Sequence, residues 1–126
     1  MTGRVAGYFV ALSTNLSGNL IWEVTLDNNI AANEIGTALA TTETGGIIIT
    51  GRTNIGNLSG DIYLISLSSG GGINWEQTYG VTGREFAQSV LQTTDGGYAI
   101  FGTVDLDNSN QMMMLMKTNQ EGNISE

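Results

Sequence analysis

Residues 38–51 have the sequence ALATTETGGIIITG, and residues 89–102 have the sequence SVLQTTDGGYAIFG. Apolar, polar and glycine positions follow one another in the same order in both, so the chain contains an internal repeat. The final glycines of the two segments are 51 residues apart, and the two tryptophans, Trp22 and Trp75, are 53 residues apart. A period of this length is typical of the blades of a β-propeller.

Each period contains four short runs of β-type residues separated by turn signals, and no stretch has helical periodicity. The fold class predicted is therefore all-β. Apolar runs such as residues 47–49 and 112–116 do not alternate with polar residues, which indicates strands covered on both faces. Blades packed between neighbouring blades meet that requirement. In the central unit the expected strands lie near Ile35–Thr41, Gly46–Gly51, Ile62–Leu67 and Ile73–Tyr79.

The chain is expected to form one module over residues 1–126, with a partial blade at 7–26, a complete blade at 35–79 and an incomplete blade at 86–126. Strand counts of two, four and three give about two and a quarter four-stranded antiparallel blades, and closed propellers need about four to eight. We therefore expect the module to be part of a larger propeller. Further chain, additional copies or a strand from a partner could complete it.

Composition excludes several classes of function. Four basic and twelve acidic residues give a net charge of −8, which disfavours binding to nucleic acid and to anionic membranes. The sequence has neither cysteine nor histidine, so disulfides, thiolate metal sites and histidine-based catalysis are excluded. Met1–Arg4 is followed by glycine and an alternating run and not by the apolar core of a signal peptide, so the sequence itself predicts no signal peptide.

Three segments carry a resemblance to a known family: residues 63–65 (YLI), 72–80 (GINWEQTYG) and 89–98 (SVLQTTDGGY). Together they resemble the bacterial and archaeal secreted β-propeller repeats with W-E-x-T-Y-G and Q-T-x-D-G-G-Y segments, over about Tyr8 to Ile124. The resemblance implies an extracellular or cell-surface protein with a role in adhesion or assembly, and no shared catalytic residue.

The chain departs from this pattern at two places. Thr44 and Ile47 replace an aspartate and a tyrosine, and Glu126 stands at a tryptophan position. Residues 11–22 have a weaker similarity to the docking motif of quinoprotein-type propellers, in which the tryptophan packs between blades.

The recurring residues are predicted to be structural anchors. Trp22 and Trp75 have the same phase in the repeat, which favours packing between blades over stacking on a sugar. Tight hairpin turns need residues at positive φ, so each glycine pair is expected to supply two in succession. Tyr98 is expected to pack in the core, like Tyr79. The anchors are Trp22, Trp75, Gly45, Gly46, Gly96, Gly97 and Tyr98.

One segment has the alternating oxygen ligands of a calcium loop, with Asp105, Asp107 and Ser109 at positions 1, 3 and 5. The glycine and glutamate that complete such a loop are missing, and a solvated loop between strands is the alternative. Calcium is the only cofactor that the sequence suggests. The methionines at 112–114 and 116 are interpreted as a core strand and not as a Cu(I) site.

The sequence therefore predicts a non-enzymatic structural or interaction module, completed at its edge strands by more chain, a partner protein or further copies of itself. A propeller module that binds glycans or calcium is the alternative. A carbohydrate-active enzyme ranks last, with Glu34, Glu85 and Asp95 as the carboxylates that could converge.

Overall fold

The structure is a computed structural model that describes residues 2–5, 8–26, 35–54, 60–80, 83–107 and 110–124. These residues form an all-β fold, and none of them lies in a helix. The strands are β1 (Thr2–Val5), β2 (Tyr8–Thr14), β3 (Leu20–Leu26), β4 (Ile35–Thr41), β5 (Ile47–Asn54), β6 (Gly60–Leu67), β7 (Ile73–Tyr79), β8 (Arg84–Gln92), β9 (Tyr98–Asp107) and β10 (Asn110–Thr118). The described part also has no helix that is long and apolar enough to cross a membrane.

The strands form three antiparallel sheets, in each of which every strand pairs with the next one along the chain. Sheet 1 has the order β1-β2-β3, sheet 2 the order β4-β5-β6-β7, and sheet 3 the order β10-β9-β8. The four strands predicted for the central unit are all present. The bounds of β4 and β7 agree with the prediction, and β5 and β6 are longer than predicted at the end where they join.

The first sheet differs from the prediction, because it contains three strands and not two. Residues 2–5 form β1, which pairs with residues 8–11 of β2. The segment Thr-Gly-Arg-Val has one strongly apolar residue, so its sequence gives no strand signal. Its β structure comes from pairing with a neighbouring strand. Sheet 3 likewise begins at Arg84, two residues before the predicted start of the third unit.

One form of turn occurs five times in the described residues. In the turn between β4 and β5 the Thr42 N–H donates to the Gly46 carbonyl at 2.9 Å, and the Gly45 N–H donates to the Thr42 carbonyl at 3.0 Å. The same pair of bonds closes the turns at residues 15–19, 68–72, 93–97 and 119–123. This is a three-residue loop whose last residue is left-handed. That residue is always a glycine, with φ between 78° and 86°: Gly18, Gly45, Gly71, Gly96 and Gly122.

The second glycine of each predicted pair has a different role from the one expected. Positive φ occurs at Gly45 and Gly96 but not at Gly46 or Gly97. A Cβ atom on Gly46 would lie 2.3 Å from the Leu67 carbonyl oxygen, and one on Gly97 would lie 2.1 Å from that of Thr118. These positions need glycine because a neighbouring strand comes too close for any side chain.

Two apolar clusters hold the sheets together, and sheet 2 contributes to both. Ile49, Ile65 and Leu67 of sheet 2 pack with Ala11 and Leu26 of sheet 1. On the other side of sheet 2, a second cluster joins it to sheet 3, and its buried members are Ile48, Ile62, Leu64, Ala87, Val90, Tyr98 and Ile100. The non-alternating run at residues 47–49 is thus explained as predicted, because sheet 2 is covered on both faces.

Candidate functional site

Strand β10 is exposed where the equivalent strand of sheet 2 is buried. Because the turns at residues 68–72 and 119–123 are equivalent, Met113 and Leu115 stand at the positions of Ile62 and Leu64. Met113 and Leu115 are 80% and 75% exposed, whereas Ile62 and Leu64 are 1% and 0% exposed. The prediction that the methionines at 112–114 and 116 form a core strand is therefore wrong for Met112 and Met113. Met114 and Met116 pack against the second cluster, while Met112 and Met113 are exposed.

The exposed side chains of sheet 3 lie together on one face. Leu115 pairs in register with Phe101. From the same registers, Leu91 and Met113 lie on the same face of the sheet as these two residues. All four are exposed. We call Leu91, Phe101, Met113 and Leu115 the open face of sheet 3. Contiguous apolar surface of this kind is typical of an interaction site.

The same strand also presents a backbone edge. Among the described residues β10 pairs with β9 on one side, and on the other side a single bridge joins Thr118 to Ile124. In sheet 2, by contrast, β7 pairs with β6 over residues 62–67. An edge strand with many apolar side chains is a template for pairing with another strand, so β10 and the open face form the candidate functional site.

The predicted tryptophan anchors lie between sheets. Trp22 of sheet 1 reaches the turn of sheet 2, where its Nε1–H donates to the Ser69 carbonyl at 3.0 Å. A Cβ atom on Gly71 of that turn would lie 2.7 Å from the Trp22 ring. The ring of Trp75 of sheet 2 lies at the equivalent turn of sheet 3, 2.6 Å from the Cβ position of Gly122.

Two tyrosines complete the contact between sheets 2 and 3. The Tyr98 ring lies against the Trp75 ring, with centroids 5.7 Å apart, and burial raises the pKa of Tyr98. The Tyr79 hydroxyl donates to the Gly122 carbonyl. Burial raises the pKa of Tyr79 to about 12. Both hydroxyls therefore stay protonated at neutral pH and act as packing groups.

Asp95 stabilises the turn between β8 and β9. Its Oδ1 accepts from the Thr93 hydroxyl at 2.5 Å and from the Gly97 N–H at 3.1 Å, and Lys117 forms an ion pair with it at 2.9 Å. These contacts, the Thr93 bond first, hold the Asp95 pKa well below its usual value. The carboxylate thereby ties the β8–β9 turn to β10.

Glu85 and Asp95, two of the three carboxylates considered for glycoside hydrolysis, do not converge in the described structure. Glu85 is fully buried near the start of β8, and Asp95 lies beyond the other end of that strand. Seven strand residues separate Glu85 from the turn, which corresponds to roughly 23 Å. A hydrolytic pair needs about 5–10 Å. Glu34 lies outside the described residues.

The calcium ligands predicted from sequence are only partly described. Asp105 and Asp107 belong to β9 and stand in register with Arg84 and Asn110, respectively. Ser109 lies outside the described residues. In the described ranges no three acidic side chains come together as metal ligands. Calcium binding stays a prediction.

A groove of about 570 Å³ opens between the turns of sheets 2 and 3. The Glu43 N–H donates to Gln92 Oε1 at 2.7 Å and so connects the two turns beside it. The groove is lined by Ala40, Thr41, Thr42, Glu43, Leu91, Gln92, Thr93 and Thr94.

Comparison with known proteins adds no relative, since no family model matches the chain and no curated protein is significantly similar to it. The open face was not predicted, because Met112–Met116 has the composition of a buried strand. The turn that receives each tryptophan was also missed. The sequence pattern that could have predicted this turn is its recurring glycine, which is the fourth residue of each of these turns: Gly18, Gly71 and Gly122.

Proposed function

We propose that the chain is a non-enzymatic interaction module in which the three sheets are successive blades of a β-propeller. More of the same polypeptide, or a partner, completes it along β10 and the open face of sheet 3. The observation that carries this proposal is the contrast between Leu115, which is 75% exposed, and Leu64, which is 0% exposed at the equivalent position.

The repeated contact between sheets supports this architecture. Sheet 1 packs on sheet 2, and sheet 2 packs on sheet 3, with a tryptophan on the next turn each time. Each added sheet buries the apolar face that the preceding sheet leaves exposed. Such burial stabilises by about 25 cal/mol per Å² of apolar surface. The open face is the surface on which a following sheet would pack.

Strand addition is the proposed mechanism at the edge. The β10 backbone would hydrogen-bond to an incoming antiparallel strand, as β6 does to β7, and such main-chain bonds give affinity in β-augmentation. The methionines of β10 adapt to differently shaped partners. The resemblance to secreted propeller repeats supports a place in an extracellular or cell-surface assembly.

Native mass spectrometry of the purified 126-residue chain tests this proposal, together with its denatured mass. We expect complexes of more than one chain or with a partner. Leu115→Lys, which places a charge on the open face, should abolish them. Leu106→Lys adds the same charge at an exposed leucine of β9 outside the open face and should leave them intact. A wild-type monomer at every concentration, stable to protease, would refute the proposal.

Glycan binding is a second candidate, favoured by the groove between the turns of sheets 2 and 3. Threonine hydroxyls, a glutamate and a glutamine line this groove, and these groups can hydrogen-bond to sugar hydroxyls. A glycan array tests it: binding that Thr94→Ala reduces would support it, and an array without signal would remove it.

A further inference from the structure

Three of the described turns are equivalent, and two of them hold a tryptophan from the preceding sheet. The turns at Gly71 and Gly122 lie against Trp22 and Trp75, whose rings come within 2.8 Å of the two Cβ positions. At the third turn, around Gly18, no atom of the described residues lies within 4 Å of the Cβ position. We call the space over the glycine of such a turn, where an indole lies, the slot. The turn at Gly18 therefore has a third slot, and no described residue occupies it.

The Gly18 turn has its shape without an occupant. Asn15 Oδ1 accepts from the N–H groups of Ser17 and Asn19, both at 2.9 Å. In the turn that holds Trp75, Asn119 Oδ1 accepts from Glu121 at 3.1 Å and from Asn123 at 2.9 Å. The φ values of the two glycines are 83° and 79°. A slot that is already ordered binds at a lower entropic cost.

The surface around this slot suits an indole. Leu16, Leu20 and Ile21 are exposed beside the turn. Leu16 stands at the position of Ser69, whose carbonyl accepts the Trp22 indole N–H at 3.0 Å. The Leu16 carbonyl therefore has the position of the Ser69 carbonyl and is equivalent to an acceptor for an indole N–H. The exposed apolar side chains beside it are ones that an aromatic ring would cover.

We propose that the turn at residues 15–19 is a docking site for a tryptophan carried by a β-strand of a partner polypeptide, in the register of β7. The inference rests on the proposed function and specifies the chemistry of the partner: an indole over Gly18 that donates its N–H to the Leu16 carbonyl. A second copy of this chain is not the donor. Its two tryptophans already lie against Gly71 and Gly122.

The test is an NMR titration of the ¹⁵N-labelled full chain with a synthetic hairpin peptide of residues 60–80, which carries Trp75 on its own strand. Seating of the indole should shift the amides of Leu16, Ser17 and Gly18 through the ring current. The amide of Gly45 should stay in place, because its turn receives no tryptophan in the structure. A peptide with Trp75→Ala should leave the Gly18 amide unmoved.

A protein variant provides the second arm. Gly18→Asn keeps a residue that tolerates the left-handed conformation and puts a side chain into the slot. It should weaken peptide binding by about tenfold or more, as loss of an aromatic anchor does. Gly45→Asn makes the same change at a turn where the nearest atom to the Cβ position is 3.9 Å away, and it should bind like wild type.

The outcomes separate this inference from the proposed function. Shifts along β10 without shifts at Gly18 would overturn the docking site and leave strand addition standing. Equal weakening by Gly18→Asn and Gly45→Asn would also overturn it. A peptide that shifts no amide refutes the docking site, and the proposed function is then decided by the mass of the complexes.

Discussion

Gly46 shows how one missing side chain sets the distance between neighbouring strands. A Cβ atom there would lie 2.3 Å from the Leu67 carbonyl oxygen, which is backbone and cannot rotate away. Gly46→Ala should therefore lower the free energy of unfolding by about 1–3 kcal/mol, the usual cost of overpacking. Urea unfolding monitored by tryptophan fluorescence measures it.

Gly70→Ala is the matched control. No described atom lies within 4 Å of its Cβ position, and its φ is not positive. The alanine should be neutral or stabilise by up to about 1 kcal/mol, because it restricts the unfolded chain. Equal losses for the two variants would show that close approach is not what selects glycine at residue 46.

Asp95 makes the stability depend on pH at acid values. Hydrogen bonds from Thr93 and Lys117 lower its pKa in the folded protein from the usual 3.8. A group with a lowered folded pKa contributes stability above its unfolded pKa and loses it as the pH falls toward the folded value. Asp95→Asn should thus melt at a lower temperature than wild type at pH 7, and this difference should shrink progressively below about pH 5.

Thermal melts monitored by circular dichroism over this pH range check the expectation. Glu121→Gln removes one negative charge from another exposed turn residue and is the matched control, and the same loss in this variant would show that the effect is not specific to Asp95. If Asp95→Asn stayed below wild type by a constant amount down to the lowest pH, its effect would come from side-chain packing and not from the carboxylate charge.

At the scale of single strands, β6 and β10 have the same place in the repeat but different surroundings. Leu64 is buried in the second cluster and Leu115 is on the open face. Leu64→Ala should cost about 2–5 kcal/mol of unfolding free energy, as large-to-small changes in cores do. In the isolated monomer Leu115→Ala should change it by less than about 0.5 kcal/mol.

Chemical denaturation at low and high protein concentration measures both. Leu64→Ala should be equally costly at the two concentrations. A loss for Leu115→Ala that appears only at high concentration would show that a second molecule covers the open face. A large loss at low concentration would contradict the exposure of β10.

The sequence predicted the strands better than their surroundings. The bounds of β4 and β7 agree with the prediction because both strands lie between clear turn signals. The exposure of β10 could not be predicted, because an apolar strand has the same pattern whether or not a neighbour covers it. β1 could not be found either, since its pairing with β2 uses backbone groups that every sequence has.

The candidate site was predictable to a similar degree. The phase of Trp22 and Trp75 predicted packing between blades, and both rings lie at a turn of the next sheet. What each tryptophan packs against, the glycine of a turn about fifty residues later, depends on how the sheets stack. A repeat in the sequence shows which residues are equivalent. It does not show how many sheets pack together or in which order.

For the molecule as a whole, the position of sheet 2 between the other two predicts a gradient of stability. Both of its faces carry buried clusters, whereas sheets 1 and 3 each contribute to one cluster. Segments with more buried apolar contacts open less often. In native-state hydrogen exchange we expect the slowest amides in β5 and β6, and faster exchange in β3 and β10.

A strand that adds to β10 should raise protection there selectively, while the amides of β3 keep their rates. Uniform protection across the three sheets in the monomer would mean that they unfold as one unit. The edge strand β10 would then be no less stable than the rest, and a partner strand would not stabilise it selectively.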